Sequence, residues 1–303
     1  MKKSICFFSS FFVGGKIPYY VEYYLTQCRP HFDEFIYLYN EQSLDTSSSE
    51  FLAQKNIQAF PVENEGYDFG MWYKAFQTID PSAYHIVSLI NDSCILFRPI
   101  DDVFTAIKNS SSHYIGMLRS DRFAPHIQSF FVIIKNEAVP LAFEYFLQKG
   151  IVTDYRQVIQ TYEIGLSQYM IQRGLKIEGL YNKGFENFNK NPSFARVKEL
   201  IEEGMPMIKK KIVFRNYRGL EHYWVVRMNF NTDYRIYFNF IKKQYNKETL
   251  IDMERVMIDA PRQHHFDLFL FAMARGIANF LRAIPGMRWL FHQFILLIKK
   301  FRK

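Results

Sequence analysis

The chain has 303 residues, enough for one large domain or for one domain with an appendage. Hydrophobic residues make up 49% and charged residues 22%, globular values that exclude wholesale disorder. The net charge of +8 is concentrated at one end, because residues 262–303 carry eight basic side chains against the single acid Asp267, and the near-neutral remainder argues against a nucleic-acid groove.

Residues 4–13 predict a first strand. Met1-Lys2-Lys3 before an apolar run resembles a signal peptide, but Ser9-Ser10 interrupt the run and Gly14-Gly15-Lys16 is a poor cleavage region. A helix follows over 18–27, a strand over 34–39, a polar loop over 42–49 and a short helix over 50–55. Residues 57–62 read as a strand and 68–78 as a helix. The strongly apolar 84–90 reads as a strand for the middle of a mainly parallel sheet.

The alternation continues with a helix at 100–108 and strands at 114–117 and 127–134. Helices are expected at 141–148 and 155–172. In the last of these Tyr155, Val158, Ile159, Tyr162, Leu166, Tyr169 and Met170 form a 3.6-period stripe. Gly174 should end that helix before residues 175–177 return to the sheet. Three cysteines, Cys6, Cys28 and Cys94, have no metal-like spacing and no even count, which fits a reduced, cytosolic setting.

The tail differs in kind. Two apolar stripes over 266–284 and 287–301 are separated by Pro285-Gly286, with Arg275, Arg282, Arg288, Lys299 and Lys303 off the stripes. Its uncharged runs fall well short of the ~20 residues that span a bilayer. Two amphipathic helices lying on an anionic membrane surface fit this pattern. A helical hairpin packed on the main domain, or pairing two copies into a homodimer, fits it too.

Four short segments could carry chemistry. Asp68 stands between Gly66 and Gly70 at the start of a helix. There it either caps the backbone or accepts hydrogen bonds from a ribose or sugar hydroxyl, the glycines letting a ligand approach closely. Asn91-Asp92-Ser93 ends the apolar strand, a place for a turn or for a carboxylate that reaches a donor diphosphate through a divalent cation. His126 and Gln128 share a strand face by period-two alternation and could position sugar hydroxyls. Glu163, beside Gly165, is either paired structurally or serves as general base toward an acceptor hydroxyl. No P-loop, Gly-x-Ser-x-Gly, His-Glu-x-x-His or Cys-x-x-Cys occurs, which leaves NTPase, hydrolase and zinc readings without local support.

Five blocks resemble the rhamnan synthesis protein F family, in order along the chain. They are Asn64-Glu65-Gly66-Tyr67-Asp68-Phe69-Gly70, Leu89-Ile90-Asn91-Asp92-Ser93, His126-Ile127-Gln128-Ser129-Phe130-Phe131, Val158-Ile159 with Tyr162-Glu163-Ile164-Gly165-Leu166, and Gly204-Met205-Pro206-Met207-Ile208-Lys209. The resemblance covers roughly residues 4–217 and implies a GT-A-like α/β fold, a single Rossmann-type domain with a mainly parallel central sheet; the helical C-terminal extension lies outside these blocks and is expected from its own apolar stripes. It implies sugar transfer in bacterial surface polysaccharide or lipopolysaccharide assembly, with rhamnose from a dTDP-activated donor as one substrate class.

The expected division is a transferase domain over 1–218, a helical connecting region over 219–260 and the basic tail over 261–303. Donor binding is expected from Gly66, Asp68, Gly70, Asn91, Asp92 and Ser93, sugar positioning from His126 and Gln128, and base catalysis from Glu163. Asp92 is the candidate ligand of a Mg or Mn ion. It stands alone where such folds usually place Asp-x-Asp, and one carboxylate with neutral oxygens binds a cation weakly. The expected partners are a nucleotide sugar, a lipid-linked or oligosaccharide acceptor and the inner face of the bacterial plasma membrane, with no nucleic acid. The rival is a non-catalytic glycan-binding or membrane-adaptor protein that keeps the fold.

Overall fold

The computed structural model describes residues 3–181 and 191–211; the connecting region, the basic tail and residues 212–218 lie outside the described residues. Strand β1 (Ser4–Ser10) is buried along its whole length, so the opening apolar run is sheet core. Helix α1 (Tyr19–Cys28) and strand β2 (Glu34–Tyr39) follow as the sequence predicts. Helix α2 (Thr46–Gln54) starts four residues before the expected position. The Asp45 carboxylate accepts from Ser48 N at 2.7 Å, so a serine-rich stretch read as loop is a capped first turn.

Strand β3 (Gln58–Pro61), helix α3 (Tyr67–Phe76) and strand β4 (Ile86–Asn91) come next, and a short strand β5 (Cys94–Leu96) leaves the Asn-Asp-Ser turn. Helix α4 (Asp101–Asn109) leads to strands β6 (Tyr114–Gly116), β7 (Arg119–Ser120), β8 (His126–Ile127) and β9 (Phe131–Lys135). The single strand expected over 127–134 is therefore broken. Gln128 N donates to Leu118 O at 2.9 Å and Ser129 N to the Glu163 carboxylate at 3.0 Å, which takes both amides out of the sheet ladder.

Helix α5 (Ala138–Lys149) accommodates Pro140 in its first turn, where no intrahelical N–H is needed. The helix expected over 155–172 is continuous but not uniform. It runs as α6 (Tyr155–Val158), a π-helical stretch (Ile159–Ile164) and α7 (Gly165–Gln172). The 3.6-period stripe holds for Val158, Tyr162, Leu166 and Met170, which are buried, whereas Tyr155 is 48% exposed and packs edge-on against Tyr67. Gly174 ends α7 with φ of 77°, and strand β10 (Ile177–Gly179) returns to the sheet. Short helices α8 (Pro192–Ala195) and α9 (Val197–Glu202) precede strand β11 (Met207–Lys209).

Among the described residues the main sheet has seven strands in the order β10-β6-β9-β4-β1-β2-β3, with β4 in the middle as its apolarity predicts. All pairings are parallel except those of β9, which runs antiparallel to β4 and β6. The expected α/β class with a mainly parallel sheet is present. Alternate residues feed two cores: Cys6 and Phe8 of β1 face α1, while Ile5 and Phe7 face α3 and α5. No helix among the described residues is long and apolar enough to cross a membrane. The three cysteines are free thiols in the buried core.

After β1 the chain steps outward to β2 and β3, then crosses to place β4 on the other side of β1. The carboxyl ends of β1 and β4 therefore flank a topological switch point, where open α/β sheets bind ligands.

Candidate active site

Ser9 of β1 and Asn91 of β4 are register partners at that switch point. Gly66 enters α3 with φ of 79° and offers no side-chain cap. Asp68 does not cap the helix either. Its Oδ1 accepts from Ser9 Oγ at 3.2 Å and its Oδ2 from Asn91 Nδ2 at 2.7 Å, which draws the carboxylate over the strand ends. Burial, and then the charge of Asp92, push the Asp68 carboxyl up to about 6.

The glycines serve the turn rather than leaving open space. A Cβ on Gly70 would meet Glu65 O at 1.7 Å, and one on Gly66 would meet Val152 O at 2.8 Å. Tyr67, between Gly66 and Asp68, holds φ of 60°, a left-handed conformation that costs a non-glycine residue roughly 1–3 kcal/mol. Close packing of this turn sets where Asp68 points.

Asp92 is 5% exposed. Its amide donates to Ser9 O at 3.1 Å, and its Oδ2 accepts from Tyr20 Oη at 3.0 Å and from Lys210 Nζ at 2.8 Å. Lys210 Nζ also donates to Tyr20 Oη at 2.8 Å. Asn91 Oδ1 accepts from Ser93 N at 3.1 Å and from Ser93 Oγ at 2.6 Å, so the Asn91 amide ties Asp68 to the turn. Strand β11 pairs antiparallel with β5, directly after this turn, and thereby delivers Lys209 and Lys210. Lys209 Nζ donates to Ser93 Oγ at 3.0 Å and lies 4.1 Å from the centroid of the Phe130 ring.

The arrangement does not fit a divalent cation at Asp92. The carboxylate already faces an ammonium and a phenol, its sequence neighbours Asn91 and Ser93 are neutral, and no group of three or more His, Cys, Asp or Glu able to hold a metal lies among the described residues.

A second cluster adjoins the first through Phe130, whose carbonyl accepts from Asn91 N at 3.2 Å. Glu163 lies in the π-helical stretch, a feature found disproportionately at functional sites. Its Oε2 accepts from Ser129 N at 3.0 Å and from Ser129 Oγ at 2.7 Å, while Oε1 faces His126 Nε2 at 3.7 Å. The other His126 nitrogen is 2.8 Å from Ala124 O. Gln128 donates to Asn191 Oδ1 at 2.8 Å, and its buried Oε1 has no partner among the described residues. His126, Ile127 and Gln128 are all buried, so the strand break replaces the expected alternation.

The structure thus joins Asp68, Asn91, Asp92 and Ser93 in one group, linked through Ser9, and places His126 beside Glu163 at 3.7 Å in another. Sequence reasoning missed Ser9, Tyr20, Ser129, Asn191 and the two lysines. The lysine block could be noticed, but nothing local says that it meets Asp92.

The family model described as rhamnan synthesis protein F matches residues 37–265 of this chain. No curated protein matches it in sequence. Similar solved structures include a mannosyltransferase from Pyrobaculum calidifontis in complex with GDP-Man and Mn2+, at 8% identity, 98% of this chain, 86% of that chain and a TM-score of 0.41. A putative nucleotide-diphospho-sugar transferase from Desulfovibrio desulfuricans G20 aligns at 16% identity, 67% of this chain, 96% of that chain and a TM-score of 0.35. Glucosyl-3-phosphoglycerate synthase from Mycobacterium tuberculosis, in complex with Mn2+, UDP and glucosyl-3-phosphoglycerate, aligns at 11% identity, 55% of this chain, 80% of that chain and a TM-score of 0.33.

Proposed function

The chain belongs to the rhamnan synthesis protein F family, and on that premise we propose that it is a GT-A-like glycosyltransferase acting on a nucleotide-sugar donor. Rhamnose is the donor sugar that the family suggests, and a growing bacterial surface glycan, lipid-linked or oligosaccharide, is the acceptor. The observation that carries this reading is the meeting of Asp68, Asn91, Asp92 and Ser93 over the switch point between β1 and β4.

In this reading Asp68, partly exposed and fixed by Ser9 and Asn91, accepts hydrogen bonds from ribose or sugar hydroxyls. Asn91, Asp92 and Ser93 shape the turn beside the diphosphate. Glu163 takes the proton of the acceptor hydroxyl. That oxygen attacks the anomeric carbon, the bond to the diphosphate breaks, and the nucleoside diphosphate leaves with the electron pair in a single inverting displacement. Two hydrogen bonds from Ser129 orient the Glu163 carboxylate, and its Oε1, 3.7 Å from His126, is the freer oxygen for the proton. Gln128 Oε1, buried and without a partner among the described residues, supplies an acceptor for a sugar hydroxyl.

The basic, amphipathic sequence of residues 261–303 supports a peripheral address on the cytoplasmic face of an anionic membrane, which would hold the site near a lipid-linked acceptor.

Transfer assays with purified protein and a panel of nucleotide sugars test the reading. Glu163→Gln should leave donor binding within about twofold while cutting transfer by roughly 100-fold or more, the usual scale for a lost general base. Equal loss of binding and transfer, with a lowered melting temperature, would reduce Glu163 to a structural partner of Ser129.

A further inference from the structure

The donor's diphosphate leaves with its negative charge, which a preorganised cation or hydrogen-bond donor beside it stabilises. Asp92, the one carboxylate of the Asn-Asp-Ser turn, is held at 2.8 Å by Lys210 and at 3.0 Å by Tyr20, an arrangement that leaves it poorly suited to ligate a metal. Lys209 is placed differently. Its ammonium touches a neutral hydroxyl, Ser93 Oγ, at 3.0 Å, and stands over the face of the Phe130 ring. It is partly exposed, whereas Asp92 is buried.

The backbone makes this placement deliberate. Strand β11 pairs with β5 so that Lys209 lies opposite Cys94, and Lys210 N donates to Ser93 O at 2.9 Å. Two successive lysines are thereby fixed at the turn with different partners, Lys210 on the Asp92 carboxylate and Lys209 on the neutral Ser93 hydroxyl and the Phe130 ring. Both also act on Asp68, whose carboxyl is pulled down by their charges against the larger upward effect of burial.

We propose that Lys209 is the cation that binds the diphosphate of the donor and neutralises it as it departs, with Lys210 as the positioning residue that neutralises Asp92. Donor binding then requires no divalent metal. The inference rests on the nucleotide-sugar reading and names how that site holds its ligand. Chemically, the electron pair of the breaking bond between the anomeric carbon and oxygen goes to the β-phosphate oxygen beside the Lys209 ammonium, while the acceptor proton goes to Glu163. A lysine serves here as a point charge, as it does in other phosphate sites.

The test is calorimetric titration of the full chain with dTDP, UDP and GDP, each with EDTA or with Mn2+. At least one of the three should bind the wild type, with affinities in EDTA and Mn2+ agreeing within about twofold. Lys209→Met, which keeps the aliphatic stem, should weaken that binding by about tenfold or more, the scale of a lost charge-assisted hydrogen bond. Lys209→Arg should restore it to within about threefold, because the charge and the cation–π contact survive. Circular dichroism and melting curves like those of the wild type would show that the variants fold.

Binding that disappears in EDTA and returns with Mn2+ overturns the inference and leaves the transferase reading standing. So does a Lys209→Met chain that binds as well as the wild type. If none of the three nucleotides binds under either condition, the nucleotide-sugar reading fails and this inference falls with it.

Discussion

Asp68 shows how a single carboxyl joins stability to function. Its pKa rises from 3.8 to about 6 on folding, mainly through burial and then through the charge of Asp92. A carboxyl whose pKa rises binds its proton more tightly in the folded chain, so acidification favours folding across the window from about 6 down to about 4. The whole effect is on the order of 3 kcal/mol, of which roughly 1 kcal/mol falls between pH 7 and pH 5. Urea unfolding of the wild type and Asp68→Ala at those two pH values should show this gain in the wild type alone. Equal responses in both proteins would place the proton elsewhere. Nucleotide-sugar binding that uses the ionised carboxylate should in turn strengthen as pH rises through 6. The sequence marked Asp68 as a cap or a ligand-binding group, and the hydrogen bonds from Ser9 and Asn91 exclude the cap.

Two elements depart from their local patterns, and each departure borders the site. The turn before α3 is packed so tightly that Gly70→Ala would drive a methyl group to 1.7 Å from Glu65 O. It should destabilise the protein by about 1–3 kcal/mol, the range for overpacking, and chemical denaturation measures it. A neutral substitution would mean that the turn can shift freely, and with it Asp68. The π-helical stretch has its own support. Tyr145 Oη donates to Thr161 O at 2.6 Å, and Gly165 leaves room for that phenol, since a Cβ there would meet it at 2.4 Å. Tyr145→Phe should cost about 1 kcal/mol and speed amide exchange over residues 159–164, as expected for the loss of one buried hydrogen bond. If exchange is unchanged, the widened turn holds without Tyr145.

Across the molecule, Lys210 ties the last described strand to Asp92 at the end of β4, 118 residues away in sequence. Removing the cation strands a buried charge, so Lys210→Met should destabilise the protein by roughly 3–5 kcal/mol. Adding Asp92→Asn removes the stranded charge and should recover much of that loss, which equilibrium unfolding of the single and double variants would reveal. A double variant no more stable than Lys210→Met would show that the lysine acts through packing instead. The same pairing decides the electrostatics of the site, because it commits one carboxylate and one cation to each other and leaves Lys209 facing Ser93.

The sequence by itself determined the class of the fold, the order of its larger elements and the segments that carry polar chemistry. Those properties rest on short-range physics: continuous apolar runs in β1 and β4, which are buried on both faces of the sheet, the stripe from Val158 to Met170, and glycine at Gly66 and Gly174 where φ is positive. It also localised the excess positive charge to residues 262–303. The cap at Asp45 was legible in principle but hidden by a serine-rich stretch that also reads as loop. Tertiary structure alone decided which groups meet. The crossover that sets β4 beside β1 brings Asn91 to Ser9 and Asp68, the Glu163 carboxylate breaks the strand at Ser129, and β11 carries Lys209 and Lys210 to the Asn-Asp-Ser turn. Such meetings depend on strand order and register over long separations, and local propensity carries no information about either.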